Sequence, residues 1–176
     1  MKATLNRAGK SVLRYGTGKT PVGDALLVLS EKGICVLHIL KSERIDAALE
    51  EVRRKHPEAD LIEDRKAVLP VLRQVNEVLA GERDEVEMPL DLRGTSFQQR
   101  VWRAMCKVGR GETCSYSELA RRAGVPRAVR AVASVCARNP VALLVPCHRI
   151  VAKNGLGGYG GGLDRKCELL RQENAL

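Results

Sequence analysis

A chain of 176 residues with 44% apolar and 29% charged side chains can bury a core in one ordinary domain or two small ones, which excludes a disordered tail and a large multi-module enzyme. The net charge of +9 is unevenly spread: residues 1–90 hold 15 basic and 15 acidic side chains, whereas residues 91–176 hold 15 and 6. Between Arg100 and Lys153 the imbalance is 11 to 2, the footprint of a surface that meets a polyanion, with nucleic acid as the leading partner.

The opening MKATLNRAGKSVLRYG carries charges throughout, so no secretory signal is expected, and no run approaches the roughly 20 apolar residues of a membrane helix. SVLRYGT, ALLVLS and ICVLHIL are short β-rich runs, separated first by Thr20, Pro21, Gly23 and Asp24 and then by Glu31-Lys32-Gly33. They predict a small antiparallel sheet. Ser42 is expected to cap a helix with Ile45, Ala48, Leu49 and Val52 on one face, ending near His56-Pro57. A second helix carries Leu69, Leu72, Val75 and Leu79 and stops at Gly81, with Pro70 placed in its first turn. GERDEVEMPLDLRG has no helical period. A linker is expected there, at about residues 82–94, between an N-terminal α/β supporting domain (1–90) and a C-terminal domain (91–176).

In the second half, Thr95 and Gln98 spell a capping box ahead of FQQRVWRAMCKV, with Gly109 as the stop. Ser115 and Glu118 spell another ahead of YSELARRAG. Gly124-Val125-Pro126 then forms a three-residue turn into RAVRAVASVCAR, which ends by Asn139 because Pro140 disfavours α geometry in the residue before it. Two helices joined in this way read as a helix-turn-helix. The fold class is therefore α/β (α+β): a small antiparallel sheet with helices, followed by a mainly helical, winged-helix-like domain. On the second helix Val129, Val132, Ala133 and Cys136 are expected to face inward and Arg127 and Arg130 outward. Ala128, Ala131 and Ser134 are small enough to let the backbone approach a docking partner closely. The alternative is an amphipathic core helix with a solvated Arg face.

Chemistry concentrates in Pro146-Cys147-His148-Arg149-Ile150, which lies between the apolar stretch VALLV and the Gly-dense NGLGGYGGGL; a helix ending LLRQEN follows. A thiol with an ordinary pKa of about 8.5 is only a few per cent ionised at neutral pH, so a Cys nucleophile needs a base. His148 is adjacent, but neighbouring side chains in extended structure point to opposite faces. A turn or a bridging water is required. Arg149 and the basic surroundings favour thiolate, and the alternative reading of Cys147 is a small buried hydrophobe.

RGTSFQQRVW, GETCSYSELARRAG, PRAVRAVASVCARNP, VPCHRIV, GGYGGGLDRK and LLRQE, in this order and spacing, resemble the O6-alkylguanine-DNA alkyltransferase family of suicide DNA-repair proteins. The strong match covers about residues 93–173, and RYGTGKTPVGDALLVLSEKGICVLHIL is similar to the family's N-terminal domain. The nearest flavour is the alkyltransferase half of bacterial Ada proteins, without their zinc-binding phosphotriester domain.

The resemblance implies irreversible, stoichiometric transfer of an alkyl group from guanine O6, extended to O4-alkylthymine, onto Cys147, with no cofactor; some relatives bind structural zinc, but their ligands find no match in this sequence, so no metal-ligating residue is assigned. It implies that His148 deprotonates the thiol through a water, that Glu173 orients the imidazole, and that Asn139 braces the active-site turn. Tyr116 donates to the purine ring. The helix carrying Ala128, Ala131 and Ser134 enters the minor groove, and Arg130 fills the gap left by the flipped base. The extruded base lies against Tyr159, with the Gly160 N–H positioned for O6, and Arg149 belongs to the same substrate-binding segment. The partner implied is double-stranded DNA, bound by a monomer in the cytoplasm of a bacterium or archaeon or in the nucleus of a eukaryote, with affinity that falls as salt rises.

Gly160-Gly161 departs from the Arg-Trp that many bacterial members carry after the loop Tyr, which predicts a roomier pocket that accepts benzyl. The loop between Ile150 and Tyr159 is about one residue shorter than the common pattern. Two other readings compete with transfer: a non-catalytic alkyltransferase-like lesion sensor, whose relatives replace the nucleophile, and a cysteine hydrolase, for which no second His lies downstream. Gly16-Thr17-Gly18-Lys19-Thr20 imitates a phosphate loop, but Leu13 stands at the required first Gly. Cys35 and His38 have ligand-like spacing without a second pair, so no zinc is expected. The six scattered cysteines read as reduced thiols of a cytosolic protein.

Overall fold

The computed structural model describes residues 10–40 and 42–176. The opening residues 1–9, on which the expectation of no secretory signal rests, and the side chain of Ser42, with its expected capping role, lie outside the described residues. The chain divides into two compact units, Met1–Asp91 and Leu92–Leu176. Among the described residues no helix is long and apolar enough to cross a membrane, and no group of three or more His, Cys, Asp or Glu is arranged to hold a metal. All six cysteines are free thiols.

In the first unit, β1 (Ser11–Thr20), β2 (Gly23–Ser30) and β3 (Gly33–Leu40) form the antiparallel meander that the turn signals predict. The sheet is nevertheless mixed. A fourth strand, β4 (Ala59–Glu63), pairs parallel with β1 and gives the order β3-β2-β1-β4. A 3₁₀ turn at Ser42–Arg44 leads into α1 (Ile45–Lys55), so the α-helical N-cap position falls on Arg44, which supplies no capping side chain. Ala48, Leu49 and Val52 of α1 pack with Leu13, Leu26, Val28 and Val36 on one face of the sheet. The neighbouring residues of β1 point to the opposite face, where Gly16 and Gly18 lie under Val68 and Leu72 of α2 (Arg65–Ala80). A Cβ at Gly18 would sit 2.9 Å from Leu72 Cδ1. These glycines admit a helix to the sheet, which replaces the phosphate-loop resemblance with a packing role.

α2 begins earlier than its apolar period suggests, because Asp64 caps it by accepting from the Ala67 N–H at 3.0 Å. Pro70 is therefore in the second turn and not the first. Its buried stripe is Val68, Val71, Leu72, Val75 and Leu79, and Leu69 is left 41% exposed. The expected linker is also partly structured. The Ile34 N–H donates to the Pro89 carbonyl and the Asp91 N–H to the Ile34 carbonyl, both at 2.8 Å, so residues 89–91 strap the free edge of β3. Gly33 makes this strap possible: its φ is +137° and an added Cβ would lie 1.9 Å from the Pro89 oxygen. Gly33→Ala is expected to destabilise the unit by about 1–3 kcal/mol or more, the cost of holding a side chain in such a backbone region. Urea unfolding followed by far-UV circular dichroism reads this, and an unchanged midpoint would show that the strap carries no weight.

In the second unit, α3 (Ser96–Met105) starts at the full Thr95/Gln98 capping box. It ends at Met105, with Cys106 in the cap position, four residues before Gly109. β5 (Cys114–Ser115) leads into α4 (Tyr116–Arg122). Ser115 caps α4 through the Glu118 N–H at 3.1 Å. The reciprocal half of that box is not made, because the Glu118 carboxylate turns to Arg121 and Arg122. α5 (Val129–Ala137) begins only after Ala128, so the turn between the two helices is longer than Gly124-Val125-Pro126. α3, α4 and α5 pack on one another around Val101, Trp102, Met105, Leu119 and Val132, all buried. A parallel pair of short strands, β5 with β6 (Ile150–Val151), and then α6 (Leu163–Gln172) complete the unit.

Candidate active site

The chain between α5 and β6 folds back on itself in tight turns, and Asn139 holds it there. Its side-chain N–H donates to the Val145 carbonyl at 2.7 Å and to Cys147 Sγ at 3.2 Å, while its oxygen accepts from the Val141 N–H at 3.1 Å. Within this turn the buried Leu143 adopts φ +70°, rare for a side chain of its size. Cys147, His148 and Arg149 then form a 3₁₀ turn. A turn and not a strand therefore answers the adjacency problem, because consecutive side chains need not point to opposite faces.

His148 is 1% exposed and Glu173, just past α6, is 7% exposed. The imidazole Nε2 meets Glu173 Oε1 at 3.0 Å, and Nδ1 has no protein partner. Burial lowers the pKa of His148 and the Glu173 hydrogen bond only partly restores it, so the ring is neutral and basic at pH 7. Burial would raise the Glu173 carboxyl, but hydrogen bonds from His148 and Arg149 outweigh it and hold it at about 2. Burial likewise raises the Cys147 thiol, opposed by the Asn139 hydrogen bond and the charge of Lys166. The resting sulfur is a thiol that needs its base.

Tyr116 opens α4, and its hydroxyl donates to the Gly158 carbonyl at 3.4 Å. Gly157 crosses the Tyr116 ring with φ +68°, where an added Cβ would lie 3.0 Å from Tyr116 Cε2. Burial pushes the phenols of Tyr116 and Tyr159 upward, so both remain donors. Gly160 is exposed, with open space where a Cβ would stand. On α5 the buried residues are Val132, Val135 and Cys136. Val129 and Ala133, expected inward, are only half-buried, because the helix is turned toward Val135. Ala131, Ser134, Arg127 and Arg130 are exposed and Ala128 is half-buried, and the Ser134 hydroxyl folds back onto the Arg130 carbonyl at 3.2 Å.

Two family models match the chain. The 6-O-methylguanine DNA methyltransferase, ribonuclease-like domain covers residues 13–92, and the 6-O-methylguanine DNA methyltransferase, DNA binding domain covers residues 96–175. The methylated-DNA--protein-cysteine methyltransferase of Methanosarcina barkeri is 38% identical over 90% of this chain and 96% of its own length. The chain belongs to the 6-O-methylguanine DNA methyltransferase family. It is also 43% identical to the bifunctional transcriptional activator/DNA repair enzyme Ada of Escherichia coli, over 92% of this chain and 45% of that protein. The chain thus spans about half the length of its Ada relatives. The crystal structure of Mycobacterium tuberculosis OGT in complex with DNA matches with a TM-score of 0.76 and 37% identity, covering 93% of each chain.

Within this member of the family, two basic residues stand where the sequence does not lead one to look. Arg149 was expected on the substrate-binding side; it turns inward, donating through Nε and Nη2 to both Glu173 oxygens at 2.8 and 2.9 Å and through Nη1 to the Val108 carbonyl at 2.6 Å. A bidentate pair with a buried carboxylate is the stronger claim on a guanidinium. Lys166 of α6 was not singled out at all, yet it is fully buried. Its signal was positional: Lys166, Leu169, Leu170 and Glu173 fall on one helical stripe, three and four residues apart.

Proposed function

We propose that the protein repairs DNA by direct reversal, moving the alkyl group of O6-alkylguanine, and of O4-alkylthymine, irreversibly onto Cys147. The observation that carries this reading is the hydrogen-bonded set Asn139–Cys147 and His148–Glu173–Arg149 around a half-buried thiol. His148 Nδ1 takes the thiol proton through an intervening water, and Glu173 stabilises the imidazolium that results. The sulfur then bonds to the alkyl carbon as the carbon–oxygen bond breaks. The electron pair of the broken bond passes to the guanine, which takes a proton from Tyr116; the proton held on the His148 imidazolium then restores the phenol through water, leaving a neutral base, a thioether and both side chains in their resting forms. The Gly160 N–H and Tyr159 flank the extruded base, and Gly160-Gly161 leaves room for benzyl.

The exposed side of α5 supplies the DNA contact in this reading. Ala131 and Ser134 are short enough for the narrow minor groove, and Arg130, which pairs with no carboxylate among the described residues, enters the stack. The protein acts as a monomer alongside the genome: in the cytoplasm of a bacterium or archaeon, in the nucleus of a eukaryote. The test is stoichiometry with a duplex oligonucleotide containing O6-methylguanine. One guanine restored per protein molecule, with none after a second addition of substrate, is the expected result; continued turnover or binding without restoration overturns the reading.

Arg130→Ala is expected to slow repair of the duplex about 10- to 100-fold, because flipping a paired base costs a few kcal/mol that the wedge helps to offset. Reaction with free O6-benzylguanine should be unchanged. Single-turnover rates with both substrates decide this, and equal losses on the two would remove Arg130 from base extrusion.

A further inference from the structure

Lys166 is an unusual cation. It is 0% exposed, and no carboxylate pairs with it among the described residues. Its three ammonium donors go to three backbone carbonyls: Ile150 at 2.5 Å, Leu156 at 2.6 Å and Gly158 at 3.3 Å. Three acceptors require the charged form, since a neutral amine has only two N–H groups. Burying such a cation without a counter-charge is unfavourable, so its retention asks for a reason beyond packing.

The three carbonyls supply one. Ile150 directly follows the Cys147–Arg149 turn and pairs with Cys114 in the β5–β6 ladder. Leu156 and Gly158 belong to the Gly-rich loop, and Gly158 also accepts the Tyr116 hydroxyl. One ammonium therefore joins the nucleophile's segment to the loop that carries Tyr159 and Gly160. We propose that Lys166 is a positioning residue for alkyl transfer, locking the Gly-rich loop onto the Cys147 segment and lending its positive charge to the Cys147 thiolate as it forms. This rests on the transfer reading above only for the identity of the reaction.

The electrostatics run the same way. The charge of Lys166 pulls the Cys147 thiol down, and Cys147 is the strongest of the groups that hold the Lys166 ammonium up against burial. The other titratable groups interacting with Cys147 are Cys136, Tyr116 and Tyr159, all neutral at pH 7 because burial raises each of them. His148, next in the chain, is neutral as well. Cys136 and Cys167 also interact with Lys166. Among the described residues, Lys166 is therefore the cation that acts on this sulfur.

The test uses the full chain with Lys166→Met, which keeps the length of the side chain and removes its charge and donors, and Lys166→Gln, which keeps two donors without charge. Three readouts are taken. Transfer from methylated duplex should fall about 10- to 100-fold in both variants. The pH profile of Cys147 carboxamidomethylation, followed on the Cys147 peptide by mass spectrometry, should move toward alkaline pH by about one unit, a tenfold loss of thiolate at neutral pH. Trypsin should cut after the exposed Lys153 at least tenfold faster in Lys166→Met than in the wild type, reporting release of the loop.

A profile that stays in place in a folded variant overturns the proposal, even if the thermal midpoint or the Lys153 cleavage changes, because a merely structural lysine would do that much. If Lys166→Met does not fold, Lys166→Gln is read by the same criterion. Should the wild type transfer no alkyl group, the function proposed above fails, while carboxamidomethylation and Lys153 cleavage still judge Lys166.

Discussion

Replacing Glu173 with alanine is expected to destabilise the C-terminal unit by about 3–5 kcal/mol, the range for removing one partner of a buried ion pair. Both oxygens of Glu173 are engaged, one by His148 and Arg149 and the other by Arg149. Alanine would leave a half-buried guanidinium with the Val108 carbonyl as its remaining acceptor and a buried imidazole without its carboxylate partner. Glu173→Gln keeps the shape and one carbonyl, so it should lose less. Trp102, the single tryptophan, is buried in α3 of the same unit and reports urea unfolding by fluorescence. An unfolding free energy for Glu173→Ala within about 1 kcal/mol of wild type would contradict the account.

The same substitution has a signature in pH. The folded-state value of Glu173, about 2, lies below its ordinary 4.5. Its contribution is therefore complete above pH 4.5 and is lost as pH falls toward 2. His148 adds in the same direction: its lowered value makes its contribution complete above 6.5 and smaller as the ring is forced to charge on acidification. Wild type should thus lose stability steadily on acidification below neutrality, and Glu173→Ala should show a flatter curve below pH 4.5.

His148→Ala is expected to slow alkyl transfer about 10²- to 10⁴-fold, the contribution usual for a positioned general base. The effect is large because burial keeps Cys147 protonated at pH 7, leaving few molecules that react without a base. Wild-type single-turnover rates should be level above the lowered His148 value and fall below it. In the variant the rate should climb about tenfold per pH unit until the thiol itself ionises. A loss below tenfold, or a variant with the wild-type profile, would mean that His148 serves only to hold Glu173 in place.

Features set by local chemistry were legible in the sequence. The Thr95/Gln98 box, the turns at Gly23 and Gly33, and the end of α2 at Gly81 each depend on a few neighbouring residues. The strand β4 was not legible, because ADLIE is short and carries no hairpin signal toward its partner. Its pairing with β1 is parallel and joins residues 48 apart, as in Ser11 with Ala59. Pro70 misled in the other direction: the first-turn preference of proline is real, but the Asp64 cap fixes the start of α2 earlier.

At the site, Cys147, His148, Asn139 and Glu173 were nameable because the motif is compact and distinctive, and the structure brings them within hydrogen-bonding reach of one another or of a shared partner. Arg149 and Lys166 were misjudged or missed for one physical reason. A basic side chain in a basic half is expected to face solvent or phosphate, and only the folded chain shows that Glu173 claims the first and three loop carbonyls the second. The surplus of positive charge in residues 91–176 is therefore not one population. Arg127, just before α5, and Arg130, on α5, are exposed, whereas Arg149 and Lys166 turn inward toward Glu173 and the loop carbonyls.

The central claim, that Cys147 is the acceptor of an alkyl group taken from DNA, is tested most directly by intact-protein and peptide mass spectrometry after incubation with a duplex containing O6-methylguanine. The account predicts a gain of one methylene unit, about 14 Da, confined to the Cys147 peptide and absent from Cys147→Ala. Tight binding to the methylated duplex with no gain in mass, or a gain on Cys106, Cys114, Cys136 or Cys167 instead, would contradict it.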